Sequence, residues 1–209
     1  MRRLLSMLLL LAIIGQHVSA RSTVRPYERS TDRSYKSVLS VLSVSNGMSW
    51  GSWGVRDMCP NGMYAAGFSL RVEEPSYVMN DDTSLNGIRL HCDYPSKGSH
   101  EFYATVESDV GNWGKWTNIK WCPSGFLKAF QLRVEPSQGI GDDTAANNIR
   151  FSCSQGSFLQ GDGTGWGDWG KWSSTCGGTG ICGIKTRVEE PQGRGDDTAL
   201  NDVQMYCCE

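Results

Sequence analysis

Residues 130–153 read FQLRVEPSQGIGDDTAANNIRFSC and contain the pattern that decides the fold. Apolar and polar side chains alternate at both ends of this stretch, in residues 130–134 and again in residues 149–153. A period of two places the apolar side chains on one face of a strand, and the Gly, Asp and Asn residues between the two runs are typical of a turn. The stretch therefore predicts two antiparallel strands, each with one buried and one solvated face.

The same pattern occurs three times in the chain. Each unit contains, in order, a Trp-Gly-x-Trp sequence, a Cys, a strand with Arg-Val-Glu, an Asp-Asp-Thr sequence and a second strand that reaches another Cys. This order excludes chance similarity. The Trp-Gly-x-Trp sequences are assigned to residues 50–53, 113–116 and 169–172, and the third is preceded by a further Trp166-Gly167. The units span approximately residues 46–92, 108–153 and 163–208.

A unit with one apolar sheet face cannot bury that face alone. Three such sheets that face one axis bury all their apolar faces in a common core. The sequence therefore predicts an all-β fold, a triangular prism of three antiparallel sheets with internal pseudo-threefold symmetry. The expected inward-facing residues are Phe68, Leu70, Val72, Ile88, Leu90 and Cys92 in the first unit, Phe130, Leu132, Val134, Ile149, Phe151 and Cys153 in the second, and Ile184, Thr186, Val188, Val203, Met205 and Cys207 in the third.

The first 43 residues differ from the repeats. A basic start, an apolar run and the small residues Val18-Ser19-Ala20 have the form of a secretory signal peptide. The next segment is rich in Ser, Arg and Thr and poor in apolar residues, a composition typical of flexible chain. The predicted organisation is a signal peptide at residues 1–20, a flexible arm at 21–43 and the prism domain at 44–209.

The composition excludes several classes of function. Without Arg2 and Arg3 of the signal peptide, 18 Lys and Arg stand against 22 Asp and Glu, a mild acidity that argues against nucleic acid as the partner. No later apolar run approaches the ~18 residues that span a bilayer, so we expect no membrane association. The two remaining histidines, His91 and His100, are expected to be exposed and are too few for a His-rich zinc site. We therefore expect no metal and no cofactor.

The cysteines predict four disulfides. All eight follow the signal peptide, an even number in a secreted chain. Eight cysteines allow 105 pairings, and the equivalence of the units selects one. A disulfide that closes a loop of about 30 residues stabilises the fold by about 3–4 kcal/mol in the chain-entropy model. The predicted pairs are Cys59–Cys92, Cys122–Cys153, Cys176–Cys207 and Cys182–Cys208.

These motifs together resemble the vitelline membrane outer layer protein family. The resemblance rests on the Trp-Gly-x-Trp turns, the Cys-Pro pairs at 59–60 and 122–123, the Leu-Arg-Val-Glu strand and the Asp-Asp-Thr sequence, and it covers about residues 44–209. It implies a β-prism of three Greek-key sheets in a secreted protein of the egg's vitelline membrane. It also implies association with carbohydrate and the ability to build N-acetylchito-oligosaccharides by sugar transfer.

Seven of the eight tryptophans lie in the Trp-Gly-x-Trp segments. Indole rings can stack on sugar rings, or they can fill the corners where two sheets meet, with Gly allowing the tight turn. Repetition in all three units favours the corner role, because every unit needs a corner. The third unit alone extends the pattern, so the candidate carbohydrate-binding residues are Trp166, Trp169 and Trp172.

The acidic motif supplies candidate catalytic groups. Glycosyl transfer needs two carboxylates at a suitable separation. Alternatively, each Asp supports its own turn or pairs with the Arg, and repetition in every unit favours this architectural role. Calcium binding is a weaker alternative, because the ligand spacing of an EF-hand is absent. We therefore commit to no catalytic residue, and the candidates are Glu73, Asp82, Glu135, Asp143, Glu189 and Asp197.

Since nearly every distinctive residue is triplicated, the leading hypothesis is a monomeric, non-enzymatic structural component of an extracellular, egg-coat-type matrix. Its expected partners are extracellular glycoproteins or mucin-like fibres, including glycans with N-acetylglucosamine. The alternative hypothesis is a carbohydrate-binding protein with weak N-acetylchito-oligosaccharide transglycosylase activity.

Overall fold

The computed structural model describes residues 36–75, 83–96, 100–136, 144–191 and 198–209. The predicted signal peptide and residues 21–35 of the predicted arm lie outside these ranges. None of the described residues belongs to a helix that could span a lipid bilayer. The strands of the described ranges are β1 (Val38–Leu42), β2 (Ser52–Trp53), β3 (Asp57–Met58), β4 (Tyr64–Val72), β5 (Leu85–Asp93), β6 (Ala104–Glu107), β7 (Lys115–Trp116), β8 (Lys120–Trp121), β9 (Leu127–Val134), β10 (Ala146–Cys153), β11 (Phe158–Gln160), β12 (Asp168–Trp169), β13 (Gly180–Val188) and β14 (Leu200–Cys208).

The strands form three antiparallel sheets. The first sheet has the order β6-β5-β4-β7, with β8 also paired to β4, and the second has the order β11-β10-β9-β12. The third has the order β1-β14-β13-β2, with β3 also paired to β13. In the first two sheets the fourth strand returns to lie beside the first, which is Greek-key order. The predicted all-β prism of three Greek-key sheets is confirmed.

Each sheet is completed by the unit that follows it in the chain. Strands β7 and β8 of the second unit pair with β4 of the first, and β12 of the third unit pairs with β9 of the second. The third sheet has no following unit, and β2 and β3 from the first unit pair with β13 instead. Each sheet therefore combines strands from two units of the sequence repeat. Strands β2 and β3 of the first unit join the third sheet and so close the ring of sheets.

Strand β1 belongs to this closure. It pairs with β14, from Val38 opposite Cys208 to Leu42 opposite Met205, and takes the place that β6 and β11 have in the other sheets. The side chain of Leu42 is buried in the core. The assignment of residues 38–42 to a flexible arm is therefore wrong, because the short apolar run VLSVL was grouped with the polar residues before it, and its partner is the distant strand β14.

The inward faces of the three sheets form one continuous core. Every residue predicted to face inward is buried. The rings of Phe68 and Phe151, from the first and second sheets, lie 4.7 Å apart between centroids. Thr186 stands in the third sheet where the others carry Leu, and its hydroxyl donates to the carbonyl oxygen of Asp109 at 2.5 Å. This buried polar group is therefore satisfied.

The four disulfides of the described chain are the four pairs that the repeat predicts. Cys59 follows β3 of the third sheet, and it is bonded to Cys92 in β5 of the first sheet. By the same arrangement Cys122–Cys153 joins the first sheet to the second, and Cys176–Cys207 joins the second to the third. Three disulfides thus link neighbouring sheets around the prism, while Cys182–Cys208 links β13 to β14.

The place of β1 in the prism can be tested with two leucines of the same strand. Leu42→Ala should lower the free energy of unfolding by about 2–4 kcal/mol, because Leu42 is 1% exposed and its loss leaves a cavity. Leu39→Ala should change it by less than about 0.5 kcal/mol, because Leu39 is 45% exposed. Urea unfolding of both variants measures the difference, and equal effects would contradict the strand assignment.

Candidate functional site

An arginine holds each Trp-Gly turn to the sheet that the turn completes. We call β4, β9 and β13 the central strands of the three sheets. The arginine near the end of each central strand donates through Nε to the carbonyl oxygen of the turn glycine. The pairs are Arg71–Gly114 at 3.4 Å, Arg133–Gly167 at 2.9 Å and Arg187–Gly51 at 3.1 Å. These glycines have φ between 68° and 81°, and a Cβ on any of them would lie within 2.3 Å of the central strand's backbone. Only glycine fits both conditions.

The structure changes the alignment of the third repeat. Gly167 occupies the turn position, and the two residues after it form β12, as the two residues after the turn glycine form β2 and β7 in the other units. The third turn is therefore Trp166-Gly167-Asp168-Trp169, and its assignment to residues 169–172 is wrong. Both stretches match Trp-Gly-x-Trp, so only the pairing of β12 with β9 decides between them.

The two tryptophans of each turn have different surroundings. The first is about half exposed in every unit, at 52% for Trp50, 51% for Trp113 and 54% for Trp166. The second is partly buried and lies close to a cationic side chain. The distances from cation to ring centroid are 5.7 Å for Lys185 and Trp53, 3.9 Å for Arg89 and Trp116, and 4.5 Å for Arg150 and Trp169. The second tryptophan thus has a packing role, whereas the first leaves half of its surface to solvent.

A hydrogen-bond chain of Glu, Thr and Asn closes the hairpin of each unit. The Glu carboxylate accepts from the Thr hydroxyl, whose oxygen accepts from the Asn Nδ2. The two distances are 2.7 and 2.6 Å in Glu73–Thr83–Asn86, 2.8 and 2.6 Å in Glu135–Thr144–Asn147, and 2.6 and 2.6 Å in Glu189–Thr198–Asn201. The residue after each Thr has φ between 49° and 55°, an unfavourable conformation that the surrounding bonds hold in place.

Three of the six candidate catalytic carboxylates belong to these Glu–Thr–Asn hydrogen-bond chains. Glu73, Glu135 and Glu189 each follow the central strand of a different sheet and bind the threonine of their own unit. Each therefore has an architectural role. The other candidates, Asp82, Asp143 and Asp197, lie outside the described residues, and their placement stays a prediction. Within the described ranges, no group of three or more His, Cys, Asp and Glu side chains is arranged to hold a metal ion.

A cleft of about 430 Å³ lies beside Trp166, one of the three candidate carbohydrate-binding tryptophans. One wall is formed by Val72, Glu74 and Pro75 at the end of β4, and the other by residues 162–166 before β12. The cleft therefore joins parts of the first and third units. An aromatic ring with a few polar groups in a concave surface is the usual composition of a small-ligand site.

The polar groups of this cleft are two carboxylates and a hydroxyl. Glu74 and Asp162 both line it, and the hydroxyl of Thr164 is held by Asn147, whose Oδ1 lies 2.6 Å away. Asp162 also pairs with Lys120 at 2.8 Å, and since both side chains are solvent-exposed this ion pair is weak. The cleft can thus accept hydrogen bonds from a neutral, hydroxyl-rich ligand while the indole packs against its apolar face.

The other two candidate tryptophans lie elsewhere, on the outer face of the second sheet. The guanidinium of Arg150 lies 4.5 Å from the ring centroid of Trp169 and 5.6 Å from that of Trp172. Its Nε donates to Gln131 at 2.6 Å, and Trp172 also contacts the exposed ring of Phe158. The structure therefore does not unite the three tryptophans in one site.

The first sheet contains a cluster of histidine and aromatic side chains that sequence reasoning missed. His91 is 3% exposed, with its Nε2 2.9 Å from the hydroxyl of Ser69. His100 stacks on Trp121 with centroids 4.0 Å apart, and its Nδ1 lies 2.8 Å from the Asp93 carboxylate. The expectation of an exposed His91 is wrong, because Trp121 arrives with β8 of the next unit and packs against it.

A glycine inside a strand is the sequence signal that could have revealed this cluster. Gly67 is opposite His91 in the register of β4 and β5. A Cβ on it would lie 2.6 Å from the carbonyl oxygen of Lys120 and 2.7 Å from the ring of Trp121. An isolated glycine in a strand often marks such a close approach, although it does not say which residue approaches.

Comparison with known proteins agrees with this architecture. The family model described as Vitelline membrane outer layer protein I matches residues 40–209. The Vitelline membrane outer layer protein 1 homolog of Mus musculus is 49% identical over 172 residues, which cover 81% of this chain and 83% of the mouse protein. The Homo sapiens homolog is 50% identical over 170 residues, with the same two coverages.

Two solved lectin structures share the fold. Calsepa lectin in complex with a bisected glycan has a TM-score of 0.51 at 10% identity, covering 81% of this chain and 97% of the lectin. Calystegia sepium agglutinin has a TM-score of 0.51 at 12% identity, covering 82% and 97%. At such low identity the likeness shows the fold alone.

The Glu–Thr–Asn chain can be tested in the second unit. Thr144→Val should lower the free energy of unfolding by about 2–3 kcal/mol, because it removes the hydroxyl between Glu135 and the buried Asn147. Thr105→Val makes the same chemical change at an exposed position of β6 and should have an effect near zero. Urea unfolding measures both, and an equally small loss for Thr144→Val would rule out the architectural role.

The buried His91 should make stability depend on pH. Burial, and secondarily the charge of Arg89, lower the pKa of His91 from 6.5 to about 4. The fold favours the neutral ring, so the stability that depends on neutral His91 is fully present above pH 6.5 and is lost as the pH falls towards 4. The loss should reach about 3 kcal/mol.

The matched variant is His91→Ser, since the second sheet carries Ser152 at this position. The expected result is a flatter dependence of the free energy of unfolding between pH 7 and pH 4.5. A cavity would lower stability equally at every pH, so the slope is the quantity to compare. An unchanged slope would show that His91 is not the group responsible.

Proposed function

Because the chain belongs to the vitelline membrane outer layer protein I family, we propose that it is a secreted, non-enzymatic structural component of an egg-coat-type extracellular matrix. In this role it associates as a monomer with glycoprotein or mucin fibres through their glycans. The observation that carries the glycan contact is the cleft that Trp166 lines together with Glu74, Asp162 and Thr164.

The covalent structure supports an extracellular role. Every cysteine of the described chain is in a disulfide, and such bonds persist in oxidising compartments. Because three of the bonds join neighbouring sheets, the prism is braced on all sides. A matrix component that meets proteases and changing solution conditions needs this resistance to unfolding.

The chemistry of the cleft suits a pyranose ring that carries an N-acetyl group. The C–H face of the sugar stacks on the exposed side of the Trp166 indole. Glu74 and Asp162 accept hydrogen bonds from sugar hydroxyls, as carboxylates do. Val72 and Pro75 provide an apolar wall for the methyl of the acetamide group. N-acetylglucosamine oligomers are therefore the proposed ligand class.

The non-enzymatic assignment is supported by the repeated use of the acidic residues in the fold. Glu73, Glu135 and Glu189 each bind a threonine that also binds a buried asparagine. One feature favours the alternative, a weak transglycosylase on N-acetylchito-oligosaccharides. Glu74 and Asp162 line the same cleft, and glycosyl transfer uses one carboxylate as acid and another as nucleophile.

Binding is tested with triacetylchitotriose in solution and with a mucin-coated surface. Trp166→Ala should weaken binding at its cleft by about tenfold or more, equivalent to about 1.4 kcal/mol. Phe158→Ala removes an even more exposed aromatic ring on the outer face of the second sheet and should leave binding unchanged. A loss with Phe158→Ala alone would instead assign the contact to the Trp169 and Trp172 region. Absence of any binding by the unmodified protein would overturn the proposal.

Catalysis is tested by incubating the protein with chito-oligosaccharides and following chain lengths by mass spectrometry. The expected result is no redistribution of lengths. Redistribution that is lost in both Glu74→Gln and Asp162→Asn would establish the transglycosylase and overturn the non-enzymatic assignment.

A further inference from the structure

We infer that the protein is trivalent, with Trp50, Trp113 and Trp166 as three separate glycan-binding platforms. The inference rests on the proposed function, because it takes the contact at Trp166 to be a glycan site. It goes further by making each molecule a cross-link between glycan chains rather than a single point of attachment.

The three tryptophans occupy equivalent positions. Two residues before each of them, a backbone N–H donates to the carbonyl oxygen of the fully buried asparagine in the preceding sheet. These bonds are Met48–Asn201 at 2.8 Å, Gly111–Asn86 at 2.7 Å and Thr164–Asn147 at 2.9 Å. One residue after each of them stands the turn glycine, which the sheet arginine holds by its carbonyl oxygen. Both flanks of every platform are therefore fixed by the same contacts.

The exposure of these rings is the observation that points to a ligand. The exposed fractions lie between 51% and 54%, so the three units present nearly the same indole surface. The second tryptophan of each turn already supplies the packing, near an arginine or lysine. A half-exposed indole in the first position offers a flat apolar face with a polar N–H at its edge, the combination on which a sugar ring can stack.

The platforms share the indole and differ in their polar neighbours. Thr164 and Asp162 beside Trp166 correspond to Gly111 and Asp109 in the second unit and to Met48 and Asn46 in the first. Glu74 corresponds to Glu190 in the third unit, whereas in the second unit Pro136 directly follows Glu135. By the threefold repeat, Glu190 takes the place of Glu74 at Trp113, and Pro136 takes that place at Trp50. A carboxylate partner is thus retained at Trp113 and lost at Trp50. The expected order of affinity is Trp166, then Trp113, then Trp50.

The geometry of the prism makes these platforms a cross-linking set. Each belongs to a turn that completes a different sheet, so each of the three sheets carries one platform. A fibre with many glycans can engage one platform of a molecule and leave the other two for neighbouring fibres. Linked weak sites of this kind gain 10²–10⁴ in avidity on a multivalent partner.

The test is an NMR titration of the full chain with triacetylchitotriose, read on the indole N–H signals. Three signals should shift, and each of Trp50→Leu, Trp113→Leu and Trp166→Leu should remove one of them while the other two still titrate. Leucine keeps apolar volume at the turn without a flat ring face, and an unchanged thermal unfolding midpoint verifies the fold. Phe158→Ala is the control and should retain all three shifts.

Cross-linking is measured as aggregation of chitotriose-coated beads. The unmodified protein should aggregate them, and a variant with two of the three tryptophans replaced should bind the beads without aggregating them. If only one signal shifts and Trp166→Leu removes it, the proposed function stands and trivalency is overturned. If no signal shifts in the unmodified protein, the glycan contact itself is overturned.

Discussion

The fold depends on one constraint, the completion of each sheet by the turn that begins the next unit. The turn glycine must approach the central strand so closely that no side chain fits, and the sheet arginine then binds its carbonyl oxygen. No unit can form its own sheet as a result. The last sheet takes its missing strands from the start of the chain, so β1, β2 and β3 close the ring. The disulfides that join neighbouring sheets follow this exchange.

The same constraint decides where ligands can reach the protein. The turn lies at a boundary between sheets, with one tryptophan packed near a cationic side chain and the other directed towards solvent. Where the residues that follow β4 in the first sheet meet the segment before the turn of the third unit, a cleft forms beside Trp166. The cleft of the proposed glycan contact is thus a product of sheet completion, and the half-exposed tryptophan beside it recurs in each unit.

The three candidate catalytic glutamates among the described residues bind groups of the fold itself. Each described Glu after a central strand is part of a chain that reaches a buried asparagine and closes the hairpin over a residue with positive φ. The carboxylates that line the cleft, Glu74 and Asp162, are neighbours of the repeated motif and do not belong to it. The repeated Glu thus belongs to the fold, whereas Glu74 and Asp162 are free of that hydrogen-bond chain and line the cleft.

The sequence by itself determined the features that depend on local periodicity and internal equivalence. These are the three units, the inward-facing residues and the four disulfides. Only the tertiary structure decided that β1 is a strand, that the third turn is residues 166–169 and that His91 is buried under Trp121. Each of these depends on pairing between segments of different units. The residues of a single strand carry no record of which distant strand lies beside them, because register and burial are properties of the pair.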